Sequence, residues 1–182
     1  MSGTVMKSMS NSYSEIDIEA VFRGIYDILG TIGSGATATV MLGKATKTGD
    51  LVAIKSIPLS FVLKKAEFRR IASEIPVLKE LDHPNIIKYR DVCLTQENLY
   101  IVLEYAEGRE LFEIMTSLGA GVGLQEKEAA RVACSVVSAL TYLHDRGIVH
   151  ADLKLENCIV NTTEEGRTTS LKLIDFGLAH FM

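Results

Sequence analysis

Residues 148–160 read IVHADLKLENCIV, in which Asp152, Lys154 and Asn157 interrupt a run otherwise apolar enough to be buried. Charge is costly in such surroundings unless it is paired or has chemical work to do. The three polar residues therefore either face solvent or form a catalytic loop, and the flanking sequence bears on the choice.

Immediately upstream, LQEKEAARVACSVVSALTYLH (124–144) sets Val132, Val136, Leu140 and Leu143 on one face of a helix, with Val137 beside them. Downstream, NCIV (157–160) and LKLIDF (171–176) have the character of short strands, joined by the polar loop NTTEEGRTTS (161–170). The first half is built differently. YDILGTIGSG (26–35), ATATVMLGKAT (36–46) and LVAIKSIP (51–58) are rich in β-branched residues and separated by Gly-containing breaks, with the turn KTGD (47–50) before the third. KKAEFRRIASEI (64–75) then places Phe68, Ile71 and Ile75 at helical spacing. IIKYRDVCLT (86–95) and NLYIVLEYA (98–106) return to strands about the turn QEN. The expected class is α+β: a five-stranded antiparallel sheet with one helix, followed by a mainly helical half. No internal repeat is present.

At 182 residues and 47% hydrophobic content, the chain can bury a sizeable core. A net charge of −4 leaves no basic excess to neutralise phosphates, so nucleic acid is not an expected partner. Cys93, Cys134 and Cys158 lie far apart and without paired metal-ligand spacing, which fits a reducing, cytoplasmic setting, with the nucleus also open. The most apolar run is strand-length and carries Glu104, so no membrane span is expected. The N-terminus lacks a signal-peptide core and has Ser2 where myristoylation requires glycine. Its Ser-rich composition predicts a disordered tail over 1–22.

GSGATATV puts Gly33 and Gly35 at a turn between two predicted strands, where backbone N–H groups could approach a phosphate. Ordinary turn chemistry explains such a pair equally. The β-branched residues that follow argue against a dinucleotide fold, which needs a helix there, and the chain has no Gly-Lys-Ser/Thr phosphate loop. In VAIK, Lys55 lies inside an apolar strand, either as a solvent-facing lysine or as a phosphate ligand. Glu74 on the next helix could reach it and hold its ammonium ready.

In this order the pieces resemble the eukaryotic protein kinase family, from about Tyr26 to the last residue. The likeness is to serine/threonine kinases of the calcium/calmodulin-dependent and related basophilic groups. It rests on Gly33-Ser34-Gly35, the VAIK lysine, Glu74, HPNII from His83, LEYAEG as hinge, HADLKLEN as catalytic loop and DFG at Asp175–Gly177. The resemblance implies a smaller lobe over 23–106 and part of a larger one over 107–182, with ATP and Mg²⁺ as cofactors. It implies nucleotide contacts from Ile32, Gly33, Ser34, Gly35, Val40, Ala53, Lys55, Leu103, Glu104, Ala106 and Ile159, with Glu104 and Ala106 at the hinge acting through backbone groups. Asp152 would orient or accept the proton of a substrate hydroxyl, Lys154 would steady the γ-phosphate, and Asn157 and Asp175 would hold metal. The partner implied is a protein with a Ser or Thr acceptor. Glu110 and Glu156 match positions that read basic residues upstream of the phosphosite, and equally suit ordinary surface charge.

Four departures qualify the pattern. The third loop glycine is Ala38, a tolerable change. Ala151 replaces an arginine, removing the cation that would pair with a phosphorylated activation segment. Pro76, inside the predicted helix, costs about 3 kcal/mol and a kink there would displace Glu74. Finally, Met182 follows DFGLAHF directly, so the family's activation segment and later helices have no counterpart, and the helix face around Val136 and Leu140 is expected to be exposed or covered by a partner. Two classes remain open: a Ser/Thr kinase of which this is a part, and a non-catalytic nucleotide-binding or interaction protein derived from one.

Overall fold

The computed structural model describes residues 18–35, 38–63, 65–119, 121–164 and 166–182. Five strands, β1 (Tyr26–Ser34), β2 (Thr39–Ala45), β3 (Leu51–Pro58), β4 (Tyr89–Leu94) and β5 (Asn98–Glu104), form an antiparallel sheet in the order β1-β2-β3-β5-β4. The expected sheet is therefore present. Its register does the positioning: Lys55 lies opposite Val40 and Ile101, and Ala53 opposite Leu42 and Leu103. Because side chains alternate along a strand, Val40, Ala53, Lys55 and Leu103 share one face while Met41, Val52, Ile54, Tyr100 and Val102 share the other.

That second face is closed by α1 (Ile18–Val21) and by Phe22, whose ring meets Tyr26 and Tyr100 edge-on at 5.6 and 5.4 Å. Phe22 is only 3% exposed. Residues 18–22, expected to belong to a disordered tail, are instead ordered against the sheet, because an aromatic side chain gains about 1.5–3 kcal/mol by covering it. Residues 1–17 lie outside the described residues.

The first face receives α2 (Leu59–Val62), unforeseen in the sequence, and α3 (Lys65–Glu80). The helix runs through Pro76 without displacing Glu74, which remains buried and points at Lys55. The expected inward Phe68 lies outside the residues whose side chains are described, as do Ala36 and Thr37 at the predicted start of the second strand.

The remaining half contains β6 (Arg109–Glu110), α4 (Leu111–Ser117), α5 (Glu126–His144), β7 (Ile148–Val149), a 3₁₀ turn at Leu155–Asn157, β8 (Cys158–Thr162), β9 (Thr168–Leu173) and β10 (His180–Phe181). β6, β8 and β9 make a small sheet, and β7 pairs with β10. Val132, Ala139 and Leu143 of α5 are buried against β9 and β7. Val136 and Leu140, expected on an open face, are half-buried and packed on the same core, whereas Val137 is 60% exposed. The reason is angular: the two residues lie between the buried line and the flank, and only Val137 turns fully outward. No described helix is long and apolar enough to cross a membrane.

The halves meet at a seam. Ile86 bridges Leu173 in parallel, Ile87 N–H donates to Leu173 O at 2.9 Å, and Leu173 N–H donates to Asn85 O at 2.8 Å. The core is consequently continuous, with Leu78, Leu81 and Ile86 joining Leu143, Leu171, Leu173 and Phe176.

Candidate active site

Between the sheet and the lower half lies a cavity of about 630 Å³. Its apolar walls include Ile32, Val40, Ala53, Leu103 and Ile159, with Gly33 and Ala106 at the edges and Lys55, Glu74, Lys154, Asn157 and Asp175 at its polar end. Glu104, Glu110 and Glu156 also line it. Most residues expected from the sequence are therefore brought together by pairings far apart along the chain. Ser34, Gly35 and Asp152 are not among the lining residues. Gly35 N–H is committed to Ala38 O at 2.9 Å. Lining residues outside the quoted motifs are Leu78, Arg109, Glu113 and Ile174, while Ile87, Tyr105, Gly108 and Phe176 lie inside them without an expected site role.

Lys55 is the centre of the polar end. Its Nζ donates to Glu74 Oε1 at 3.3 Å and lies 3.6 Å from Asp175 Oδ1. The Glu74 side chain is 3% exposed and its Oε2 has no hydrogen-bond partner among the described residues, so the lysine is the countercharge that makes this burial tolerable. Asp175 has φ 56, a left-handed backbone uncommon outside glycine and asparagine, and its Oδ1 accepts from Gly177 N–H at 3.3 Å. Such conformations cost about 1–3 kcal/mol and persist where surrounding structure enforces them.

The enforcement comes from Phe176 and His150. Phe176 is fully buried, its ring 4.7 Å from that of His150. Asp152 N–H donates to His150 Nδ1 at 3.3 Å, and the other ring nitrogen, Nε2, faces Ile174 O at the same distance. One acceptor nitrogen and one donor nitrogen define the neutral imidazole protonated on Nε2. Burial correspondingly pushes the His150 pKa below its ordinary 6.5, outweighing the Ile174 carbonyl and the Asp152 and Asp175 charges. A depressed histidine leaves the unfolded chain binding more protons, so stability is full above about pH 6.5 and falls as pH drops toward the folded value. Thermal denaturation between pH 7 and 5 is expected to show this loss, with His150→Phe flattening the slope. An unchanged slope in the variant would remove His150 from the account.

In the loop after β7, Lys154 Nζ donates to Asp152 Oδ2 at 2.9 Å, and Asn157 Nδ2 donates to Asp152 O and Oδ2 at 2.8 and 3.1 Å. The Lys154 hydrogen bond is the largest cause lowering the Asp152 pKa, and the same bond raises that of Lys154. The opening three polar residues are thus one interlocked group. Ala151 beside them is exposed, has φ 60 and supplies no cation. Glu110 is pushed above the usual carboxylate value by burial and then by the negative charges of Glu113 and Glu156.

The donors suit ATP and Mg²⁺. Two Asn157 donor bonds leave its amide oxygen uncommitted among the described residues, and Asp175 lines the same cavity. No cluster of three or more metal-ligating side chains exists among those residues. Mg²⁺ characteristically keeps waters and substrate phosphates and takes only one or two carboxylates from the protein. At the hinge, Glu104 N–H is spent on Lys88 O at 2.9 Å.

The protein kinase domain family matches residues 26–182. CBL-interacting protein kinase 9 of Oryza sativa subsp. japonica is 37% identical over 158 residues, covering 87% of this chain and 33% of the relative. Serine/threonine-protein kinase DCLK3 of Mus musculus is 38% identical over 157 residues, covering 86% of this chain and 19% of the relative. The chain spans a third or less of the length of these curated relatives. A family match that runs from the first strand of the sheet to the last residue fixes the assignment: the chain belongs to the protein kinase family.

Proposed function

We propose that the chain forms the nucleotide-binding and catalytic-loop portion of an ATP-dependent protein serine/threonine kinase. The observation that carries this is Lys55 set between Glu74 and Asp175 at the polar end of an apolar-walled cavity. The names of the relatives support the serine/threonine acceptor, as does Lys154 two residues after Asp152.

When bound, ATP supplies the phosphoryl group and Mg²⁺ neutralises part of its charge. Lys55 holds phosphate oxygens, in an orientation set by the buried Glu74. Asp175 and Asn157 would hold metal, and Ile32, Val40, Ala53, Leu103 and Ile159 would give the purine its apolar walls. Asp152 orients the acceptor hydroxyl and takes its proton as the oxygen bonds to the γ-phosphorus and the bridging P–O bond breaks. Its depressed pKa keeps it ionised at neutral pH, which suits a weak base acting late in a loose transition state. Lys154 lies where it can neutralise the transferring group. Glu110 and Glu156, with Glu113 nearby, favour a substrate carrying basic residues near its phosphosite.

Calorimetric titration of folded protein with MgATP tests the reading. Lys55→Met is expected to weaken binding about 10- to 100-fold, the range of a lost hydrogen bond to a charged group. Asp175→Ala is expected to remove the difference in affinity measured with and without Mg²⁺. Equal binding by all three proteins would refute the assignment.

A further inference from the structure

We propose that Ser170, beside the tip of the β8–β9 hairpin, is a phosphorylation site whose phosphoryl group is transferred from ATP by a second copy of this chain. The proposal rests on the kinase reading above and names a substrate segment for its acidic subsite.

Charge is the first observation. Glu110, Glu113 and Glu156 line the cavity together. Burial and then the neighbouring charges of Glu113 and Glu156 push Glu110 above the usual carboxylate value, so the group gains by receiving a cation. Three extended residues separate a base from an acceptor by about 10 Å, room for the base to meet these carboxylates while the hydroxyl meets Asp152. Among residues whose side chains are described, Ser170 is the only serine or threonine with Lys or Arg three positions before it. That base, Arg167, is exposed and has no ion-pair partner among the described residues.

The hydroxyl itself is the second. Thr168 is held by Glu128 of α5, whose Oε2 accepts the Thr168 N–H at 2.7 Å and whose carboxylate also receives the Thr168 side chain. Thr169 Oγ1 donates to Asn161 O at 3.0 Å. Ser170 is exposed, and its hydroxyl makes no hydrogen bond among the described residues. Of three consecutive hydroxyls, only the one correctly spaced from Arg167 is uncommitted.

Backbone freedom is the third. β9 is an edge of its sheet, and Thr169 bulges from the ladder, since Ser170 pairs with Asn161 and Thr168 with the next residue, Thr162. From Leu171 onward the strand is pinned. Asn85 Nδ2 donates to Leu171 O at 2.9 Å, Leu173 N–H donates to Asn85 O, and both leucines are fully buried. The segment before Ser170 can therefore lift from β8 while Leu171 stays in the core, and that upstream segment carries the base. The same anchor keeps the transfer intermolecular, because β9 runs on from Ser170 through these buried leucines before the chain reaches Asp175. Asp152 of the second copy takes the Ser170 Oγ proton as the Oγ–P bond forms; the bridging P–O bond breaks and ADP leaves.

Incubation of the folded chain with MgATP, followed by mass-spectrometric mapping, is the test. Phosphate is expected on Ser170, with the fraction modified per minute rising in proportion to protein concentration. Asp152→Asn alone should stay unmodified but gain phosphate at Ser170 when mixed with wild type. In that mixture, adding Arg167→Ala to the acceptor is expected to slow its modification about tenfold, the scale of one charge-assisted contact, and Arg167→Lys to restore most of the rate. Both positions are exposed, so the variants should fold, and their MgATP affinity should equal that of wild type. At the same spacing Ser10 follows Lys7 and Ser73 follows Arg70, outside the residues whose side chains are described. Phosphate confined to those serines, a rate independent of concentration, or an Arg167→Ala acceptor as fast as its parent would overturn the proposal. MgATP binding without phosphate at Ser170 would overturn it alone, and no nucleotide binding would overturn the reading beneath it as well.

Discussion

Asp152→Asn is expected to lower γ-phosphate transfer by about 10²–10⁴-fold, the usual contribution of a positioned general base, with MgATP affinity unchanged. The substitution keeps the size of the side chain and its capacity to accept from Lys154 Nζ and Asn157 Nδ2, the two donors now converging on Oδ2. The loop should therefore keep its shape. What disappears is the anionic oxygen proposed to orient the hydroxyl and receive its proton. Asp152 is also absent from the cavity lining, so nucleotide affinity has no direct dependence on it. Transfer to a basic serine peptide and phosphate release to water should both be followed, since water needs no peptide-docking surface. A variant retaining more than a tenth of wild-type transfer would take Asp152 out of its role.

The second large effect is structural. Gly108 sits in the turn leaving the hinge with φ 130, and a Cβ there would lie 2.3 Å from Val160 O and 2.8 Å from Asn161 N. Both neighbours are backbone atoms of β8, which pairs with β6 and β9 and has little room to yield. Overpacking costs about 1–3 kcal/mol. A glycine-only backbone region adds about 1–3 kcal/mol. Gly108→Ala is expected to lose about 2–6 kcal/mol, comparable with a domain's entire stability. Chemical denaturation is the measurement, with Gly119→Ala as control, because nothing lies within 4 Å of a Cβ there although it too has positive φ. A Gly108 variant no less stable than the control would contradict the packing.

Much of the site was legible because phosphate and metal chemistry demands particular residues at short spacings. Lys55, Asp152, Asn157 and Asp175 announce themselves locally, and the alternation in LVAIKSIP correctly puts Lys55 and Ala53 on one face. Elsewhere local signals misled. Ile86–Lys88 alternate like the start of β4, yet their backbone groups bond to β9 and the hinge, so the strand begins at Tyr89. Tertiary partners outweighed strand propensity there. α4 gave no start signal, since Glu110 at its N-cap makes no side-chain capping bond, and with α4 went the wall residue Glu113. β8 runs two residues beyond the expected strand and β9 begins three residues before it, because those ends lie in a Thr-rich segment that reads equally as loop. Val136 and Leu140 were placed on the right helix but not at the right angle to solvent.

The clasp formed by α1 and Phe22 bears on where the unit begins. The family match starts at Tyr26, yet Phe22, four positions earlier, closes the sheet face formed by Val52, Ile54, Tyr100 and Val102. A boundary drawn by inherited pattern and one drawn by burial therefore disagree by at least one helical turn. Anyone trimming the chain to its recognisable domain would uncover a contiguous greasy surface of the kind that drives association between copies. The smallest piece that carries the ancestry is not the smallest piece that stays in solution alone.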